Sequence, residues 1–240
     1  MVQRALIATT ALLIGWGVFL GITVPPEATQ GDFAKMFFVH VPSVITAYLA
    51  LAVGLVMGVW YLVTKSRLAD RLSAGAIEIG VMFTGLTLVT GMIWGKPVWG
   101  VWWSWGDARM MSTAFMFFFY LGYLALRRAI PDPDVRAGRS AILAIVAFAQ
   151  VPIVHFSVTW FRTLHQGPTV IQPDFANAPL DPVYGRAFGV NLLAFLALFA
   201  TLLTMRVALA RLEEASDAPI SRDAVAGAAI VAPELGGADG

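Results

Sequence analysis

The stretch MFFVHVPSVITAYLALAVGLVMGVWYLVT, residues 36–64, contains no Asp, Glu, Lys or Arg. About 20 apolar residues in helical rise cross the hydrocarbon core of a bilayer, and this run is longer. Five more uncharged windows lie around it, at 5–26, 79–95, 110–126, 140–161 and 187–205. Windows 79–95 and 110–126 sit at the short end of the spanning range, so flanking side chains must snorkel or the bilayer thin slightly. The whole chain of 240 residues is 58% hydrophobic and only 13% charged, against about 25% charged residues in a soluble domain. That apolar surplus exceeds what one water-soluble core can hide. The expected fold class is therefore all-α: an integral membrane bundle of six transmembrane helices. A cleaved signal peptide is the competing reading of the first window. Only Arg4 precedes that window, and it runs into Pro25-Pro26 without a small-x-small cleavage site. It is read as helix one.

Loop charge sets the expected orientation. With Arg4 in the cytoplasm, the inner segments hold Lys65, Arg67, Arg71, Arg127, Arg128, Arg136, Arg139, Arg206, Arg211 and Arg222 as well. The outer segments hold only Lys35, Lys96, Arg109, Arg162 and Arg186. Both termini are expected to be cytoplasmic. The spanning domain is expected over 1–212. Residues 213–240, rich in Ala, Gly, Asp and Glu, read as a disordered cytoplasmic tail. Pro131-Asp132-Pro133-Asp134 makes a tight inner turn. A net charge of +1 with no basic stripe excludes a nucleic-acid partner. The absence of cysteine excludes disulfides, thiolate metal sites and a thioether link to a cofactor through this chain.

Chemistry-bearing residues collect on the outer side, in loops at roughly 25–39, 95–109 and 162–186. His40 opens helix two, His165 follows helix five, and His155 lies in the outer half of helix five. The loop after helix three runs Trp94-Gly95-Lys96-Pro97-Val98-Trp99-Gly100-Val101-Trp102-Trp103-Ser104-Trp105-Gly106-Asp107-Ala108-Arg109. Trp16, Trp60 and Trp160 fit an interfacial aromatic belt. A belt does not gather Trp94, Trp99, Trp102, Trp103 and Trp105 into one loop. Glycines and a proline among them suggest a shaped, non-helical platform whose indole faces suit a flat, polarisable ligand. Lys96 and Arg109 bracket it and suit carboxylate tails, although snorkelling is the ordinary use of such cations. Asp107 is expected to cap helix four.

Two imidazoles, an aromatic plate and two cations describe a site for haem, with neutral histidines holding the iron from both faces. His155 and His165 are about 15 Å apart along a straight helix, too far to sandwich one iron. His40 and His165 are the better axial pair, and His155 reads as a helix-packing residue.

The tryptophan loop, His40-Val41-Pro42 and Thr163-Leu164-His165-Gln166-Gly167 together resemble the haem-handling membrane proteins of cytochrome c maturation, and most closely their six-helix CcmC-type (HelC-type) members. The resemblance covers about residues 5–210. It implies haem b presented at the outer, periplasmic face of the bacterial inner membrane, with His40 and His165 on the two axial-ligand positions. It makes the tryptophan-rich segment, the WWD domain, a haem-binding and partner-docking surface. The implied partners are a periplasmic haem chaperone, the ATPase and membrane subunits of an ABC transporter, and a small single-span subunit. ATP hydrolysis would belong to the transporter, and no catalytic activity is expected of this chain. Its Gly91–Lys96 stretch is followed by Pro97, where a phosphate-binding loop needs Ser or Thr. Two positions depart from the family pattern: Gly106 separates Trp105 from Asp107, and Trp160-Phe161 stands where two tryptophans are usual. The alternative is a b-type haem electron-transfer subunit, a class that often holds its paired ligands in mid-helix. A small-molecule transporter would tend to carry ionisable residues near mid-bilayer. The acid nearest a helix core here is Glu78, read as a solvated inner-edge residue.

Overall fold

The computed structural model describes residues 1–167, 170 and 180–216. Its secondary structure is helical: α1 Val2–Thr23, α2 Phe37–Thr64, α3 Arg67–Trp99, α4 Ala108–Ala129, α5 Pro133–Phe148, α6 Gln150–Trp160 and α7 Pro182–Ser216, with a 3-10 turn at Asp32–Met36 before α2. Among the described residues, six spans are long and apolar enough to cross a bilayer, α5 and α6 together forming one of them. The six expected spans are therefore present.

Two compact units divide the chain, Met1–Val207 and Ala208–Gly240. The first holds the bundle and the site. In the second, the described residues run to Ser216 and are helical. The expected tail lies outside the described residues from 217 onward.

Local chemistry sets the turns. Lys65 takes a left-handed φ of 56° at the end of α2, and Ser66 then caps α3 by accepting the Ala69 N–H. Two residues thus reverse the chain, and α2 and α3 form an antiparallel hairpin. Asp132 caps α5, taking the Asp134 and Val135 N–H groups, with Pro133 at the first helical position. The expected fifth helix is interrupted at Ala149. Pro152 has no N–H to offer the Phe148 carbonyl, so the helical ladder breaks there and restarts as α6.

The α2–α3 hairpin is central. A Cβ added at Gly80 of α3 would fall 2.7 Å from Leu51 Cδ2, so glycine permits the close approach. The Ser73 hydroxyl donates to the Gly54 carbonyl across the same seam, at 2.8 Å. Leu51, Ile77, Met116, Tyr120, Tyr123 and Val154 knit the hairpin to α4 and α6. Ala47, Ala50, Ala76, Phe83 and Phe199 knit it to α7. α1 is held to α7 by the paired Thr10 and Thr201 hydroxyls at 2.8 Å and by Asn191 Nδ2 donating to the Gly17 carbonyl at 2.9 Å. Interhelical hydrogen bonds in bilayers average about 0.6 kcal/mol. Close packing therefore contributes more to association than these polar ties do.

At the end of the bundle opposite the Trp94–Trp105 segment, Arg127 meets Asp70 in a bidentate pair at 2.7 and 3.0 Å. Arg67 meets Asp134 at 2.8 Å. Glu78 pairs with Arg206 at 2.8 Å, so it is an interhelical ion-pair partner rather than a simply solvated acid.

Candidate functional site

The tryptophan segment is more helical than its glycines and proline suggest. α3 continues through Trp94, Lys96 and Pro97 to Trp99, and only Gly100–Asp107 is irregular. Gly100, at a φ of 78°, terminates the helix. Proline is tolerated so close to the end because few turns remain for its missing N–H to disrupt. The two parts of the segment do different things. Trp94 and Trp99, fixed on the last turns of α3, face a cavity. Trp102 and Trp105 lie on the irregular part and are 55% and 79% exposed. Trp103 packs edge-on to Trp105 at 5.9 Å, and its indole N–H is buried with no hydrogen-bond partner among the described residues.

The cavity measures about 240 Å³ and is lined from α2, α3, α4, α6 and the segment after α6. His40 and Tyr48 reach it from α2, Gly91, Trp94 and Trp99 from α3, Arg109 from α4, and His155 from α6. His165 enters from the following loop. A second cavity of about 80 Å³ shares His40, Tyr48, Arg109 and His165, and adds Thr87 and Trp103. Two histidines 125 positions apart in the chain therefore line the same space. His155 lines it too, packing edge-on against Tyr48 and Phe156, a position that its spacing does not reveal.

Each candidate ligand is held from outside. The His40 Nδ1 lies 3.0 Å from the Thr90 hydroxyl, and the ring meets Trp94 edge-on at 5.8 Å. The Trp94 indole N–H donates to Gln30 Oε1 at 2.9 Å. His165 meets Trp99 edge-on at 4.7 Å. Its backbone is pinned by Thr163, whose hydroxyl accepts the His165 N–H and donates to the His165 carbonyl.

Asp107 organises this corner. It is 2% exposed. Its Oδ1 accepts the Met110 N–H at 2.8 Å, the expected helix cap, while Oδ2 accepts the Leu164 N–H at 2.7 Å. Oδ1 also lies 3.3 Å from His165 Nδ1, an ion-pair distance whose angle does not make a hydrogen bond. Burial pushes the Asp107 carboxyl up, but the Met110 and Leu164 amides and His165 outweigh it and hold the group below the usual carboxylate range. Burial, aided by Arg109, pulls the His165 imidazole below its ordinary value, and the Asp107 charge only partly opposes this. The shift favours the neutral ring, the form that can donate a lone pair to a metal.

The two bracketing cations part company. Arg109 Nη2 donates to the His155 carbonyl at 2.8 Å, while its Nε, beside both cavities, is buried with no hydrogen-bond partner among the described residues. Lys96 is exposed, absent from the cavity wall, and donates to the Gly100 carbonyl at 2.9 Å. A cation on the last carbonyls of a helix is a favourable C-terminal arrangement. Lys96 therefore serves the end of α3, whereas Arg109 faces the cavity.

The donor set fits haem: two imidazoles, indole walls and one cationic N–H without a partner among the described residues. The enclosed volume is below the ~300–1,000 Å³ typical of pockets that engulf a ligand. The residues that would hold a haem there are His40 and His165 toward the iron and Arg109 toward a propionate, and the cavity as it stands does not enclose a whole macrocycle. Among the described residues, no group of three or more His, Cys, Asp or Glu forms a bare-metal cluster.

Sequence reading does not find Gln30, Tyr48, Thr90 or Gly91. One signal was available: Thr90 lies four residues before Trp94, on the same face of α3.

Fold and site define a class, the multi-pass helical membrane protein with a histidine- and tryptophan-lined pocket at one end of its bundle. The sequence profile described as CcmC, heme exporter protein C, matches residues 1–221. The chain is 37% identical to the heme exporter protein C of Bradyrhizobium diazoefficiens over 197 residues, covering 82% of this chain and 74% of that one. It is 37% identical to the Haemophilus influenzae protein of the same name over 217 residues (88% and 85%). It is 36% identical to that of Escherichia coli K12 over 206 residues (85% and 80%). This chain belongs to the heme exporter protein C family.

Proposed function

We propose that this protein binds haem b at the periplasmic face of the bacterial inner membrane and presents it to a periplasmic haem chaperone for c-type cytochrome assembly. The observation that carries the reading is the convergence of His40 and His165 on one tryptophan-walled cavity. Haem is the cargo, and when bound it supplies an iron with two axial positions. His40 and His165 fill those positions. Trp94 and Trp99 brace the two imidazoles edge-on and wall the cavity. Arg109, whose Nε has no hydrogen-bond partner among the described residues, receives a propionate; Lys96 offers a second cation, outside the cavity wall. A cavity open at its mouth suits delivery, because a partner can reach an edge that the walls do not enclose.

Trp102 and Trp105, exposed on the irregular stretch after α3, form the docking surface for the chaperone, with Trp103 packed edge-on against Trp105. The ABC-transporter ATPase and membrane subunits and the small single-span subunit complete the assembly, and ATP is hydrolysed there.

The test is a visible absorption spectrum of the detergent-purified protein. A Soret band is expected, with loss or shift in His40→Ala and in His165→Ala. Unchanged spectra in both variants would refute the ligand assignment.

A further inference from the structure

His40 is held by a relay that has no part in the ligand set itself. Its Nδ1 lies 3.0 Å from Thr90 Oγ1. That oxygen in turn lies 2.7 Å from the Leu86 carbonyl and 3.2 Å from the Thr87 carbonyl. A carbonyl can only accept, so the single hydroxyl proton of Thr90 is best used toward Leu86, the shorter contact. The hydroxyl then has its lone pairs left for His40, and the imidazole is the donor, Nδ1–H to Oγ1, with the Thr87 carbonyl a second acceptor close by. Thr90 is 6% exposed, so its hydroxyl is largely shielded from bulk water.

The next residue fixes where the ring can lie. A Cβ at Gly91 would come 3.1 Å from His40 Cε1 and 3.6 Å from Nδ1. The Nδ1–Cε1 edge of the imidazole therefore rests directly on the backbone of α3, at a position where any side chain would crowd it. With that edge committed, Nε2 is the nitrogen left for the cavity.

We infer that Thr90 is a positioning residue for His40: its hydroxyl accepts the Nδ1 proton, selects the tautomer with a bare Nε2, and aims that lone pair into the haem cavity, while Gly91 provides the space for the ring. The value of the bond to haem rests on His40 being an axial ligand; the tautomer itself does not. A hydrogen bond at the far nitrogen of a metal-bound histidine orients the ring and raises its basicity, and losing one typically costs 10–100-fold in affinity. A hydrogen-bonded carboxylate at the far nitrogen is the familiar device; at His165 the Asp107 carboxylate stands 3.3 Å from Nδ1 without making that bond. His40 would use a neutral hydroxyl instead, so the two axial ligands would differ in donor strength.

The experiment uses full-length protein in detergent, labelled with ¹⁵N-histidine and free of haem, as wild type, Thr90→Val and Thr90→Ser. The His40 resonances are assigned by their loss in His40→Ala. Wild type and Thr90→Ser should show His40 as the Nδ1–H tautomer, and Thr90→Val should move it toward Nε2–H. Wild-type His40 found as the Nε2–H tautomer, or a tautomer unmoved in Thr90→Val, overturns the inference. If the valine variant does not fold, the wild-type tautomer decides alone. Haem titration then supplies the second readout. Thr90→Val should bind roughly 10–100-fold more weakly and show a more positive midpoint potential, with both restored in Thr90→Ser. If the tautomer responds as expected but His40→Ala leaves the haem spectrum unchanged, the axial-ligand reading fails and the ring-positioning result stands apart from it.

Discussion

Asp107 and Leu164 lie 57 positions apart, yet the carboxylate of the first accepts the backbone N–H of the second at 2.7 Å. One buried acid thereby caps α4 and ties down the loop that carries His165. Gly106 separates Asp107 from Trp105, and the irregular Gly100–Asp107 stretch brings the carboxylate to that loop.

Replacing Asp107 with alanine removes a helix cap and leaves the Leu164 amide without its acceptor. The expected loss is about 1–3 kcal/mol of stability, together with weaker haem retention. Thermal unfolding in detergent and the Soret absorbance of the same sample measure both. Asp107→Asn should retain more stability, because its amide oxygen can still accept one of the two N–H groups.

His155 lines the cavity but is not assigned to the iron. His155→Ala should therefore keep the low-spin signature of two axial imidazoles, whereas His40→Ala and His165→Ala should lose it. Electron paramagnetic resonance of the ferric protein distinguishes these cases. Loss of the low-spin signal in His155→Ala would reassign the pair.

If Arg109 receives a propionate, its removal should matter only for a ligand that carries one. Arg109→Leu should bind haem more weakly by roughly 10–100-fold, the worth of a charged hydrogen bond of ~1.5–3 kcal/mol. Haem dimethyl ester should bind the variant and wild type alike. Equal losses for both ligands would point instead to the broken bond with the His155 carbonyl.

The tryptophans should separate by exposure. Trp102→Ala with Trp105→Ala should spare haem binding and abolish transfer to the chaperone, read by covalent haem on the chaperone. Trp103→Ala should lower stability or haem binding as well, since that ring lines the second cavity.

Far from the site, the Asp70–Arg127 pair is largely enclosed, with side chains 11% and 16% exposed. Arg127→Leu alone strands a buried carboxylate and should cost about 3–5 kcal/mol. Asp70→Leu with Arg127→Leu should recover much of that loss. Denaturant unfolding of the three forms tests the difference, and the haem spectrum of folded protein should not change.

The helical bundle was legible because a bilayer makes one demand of every span: about 20 residues without a formal charge, their backbone polar groups paired within the helix. Residues 36–64 satisfy it by composition alone. The approximate position of the site was legible too, because tryptophans and histidines at window ends are uncommon enough to stand out. The break at Ala149 was also written in the chain, in Pro152, but the uncharged run across it hides the interruption.

What composition and spacing determined, then, was the number of spans and the end at which the chemistry sits. Only the tertiary structure decided which side chains meet there. It sent Arg109 to the cavity and Lys96 to the end of α3, brought His155 and Tyr48 into the wall, and set Thr90 beneath His40. The physical reason is that hydropathy acts on each segment separately, through its own contact with lipid. A hydrogen bond between Thr90 and His40 depends instead on the rotation and depth of α3 against α2, which the close approach at Gly80 and the Ser73–Gly54 bond determine.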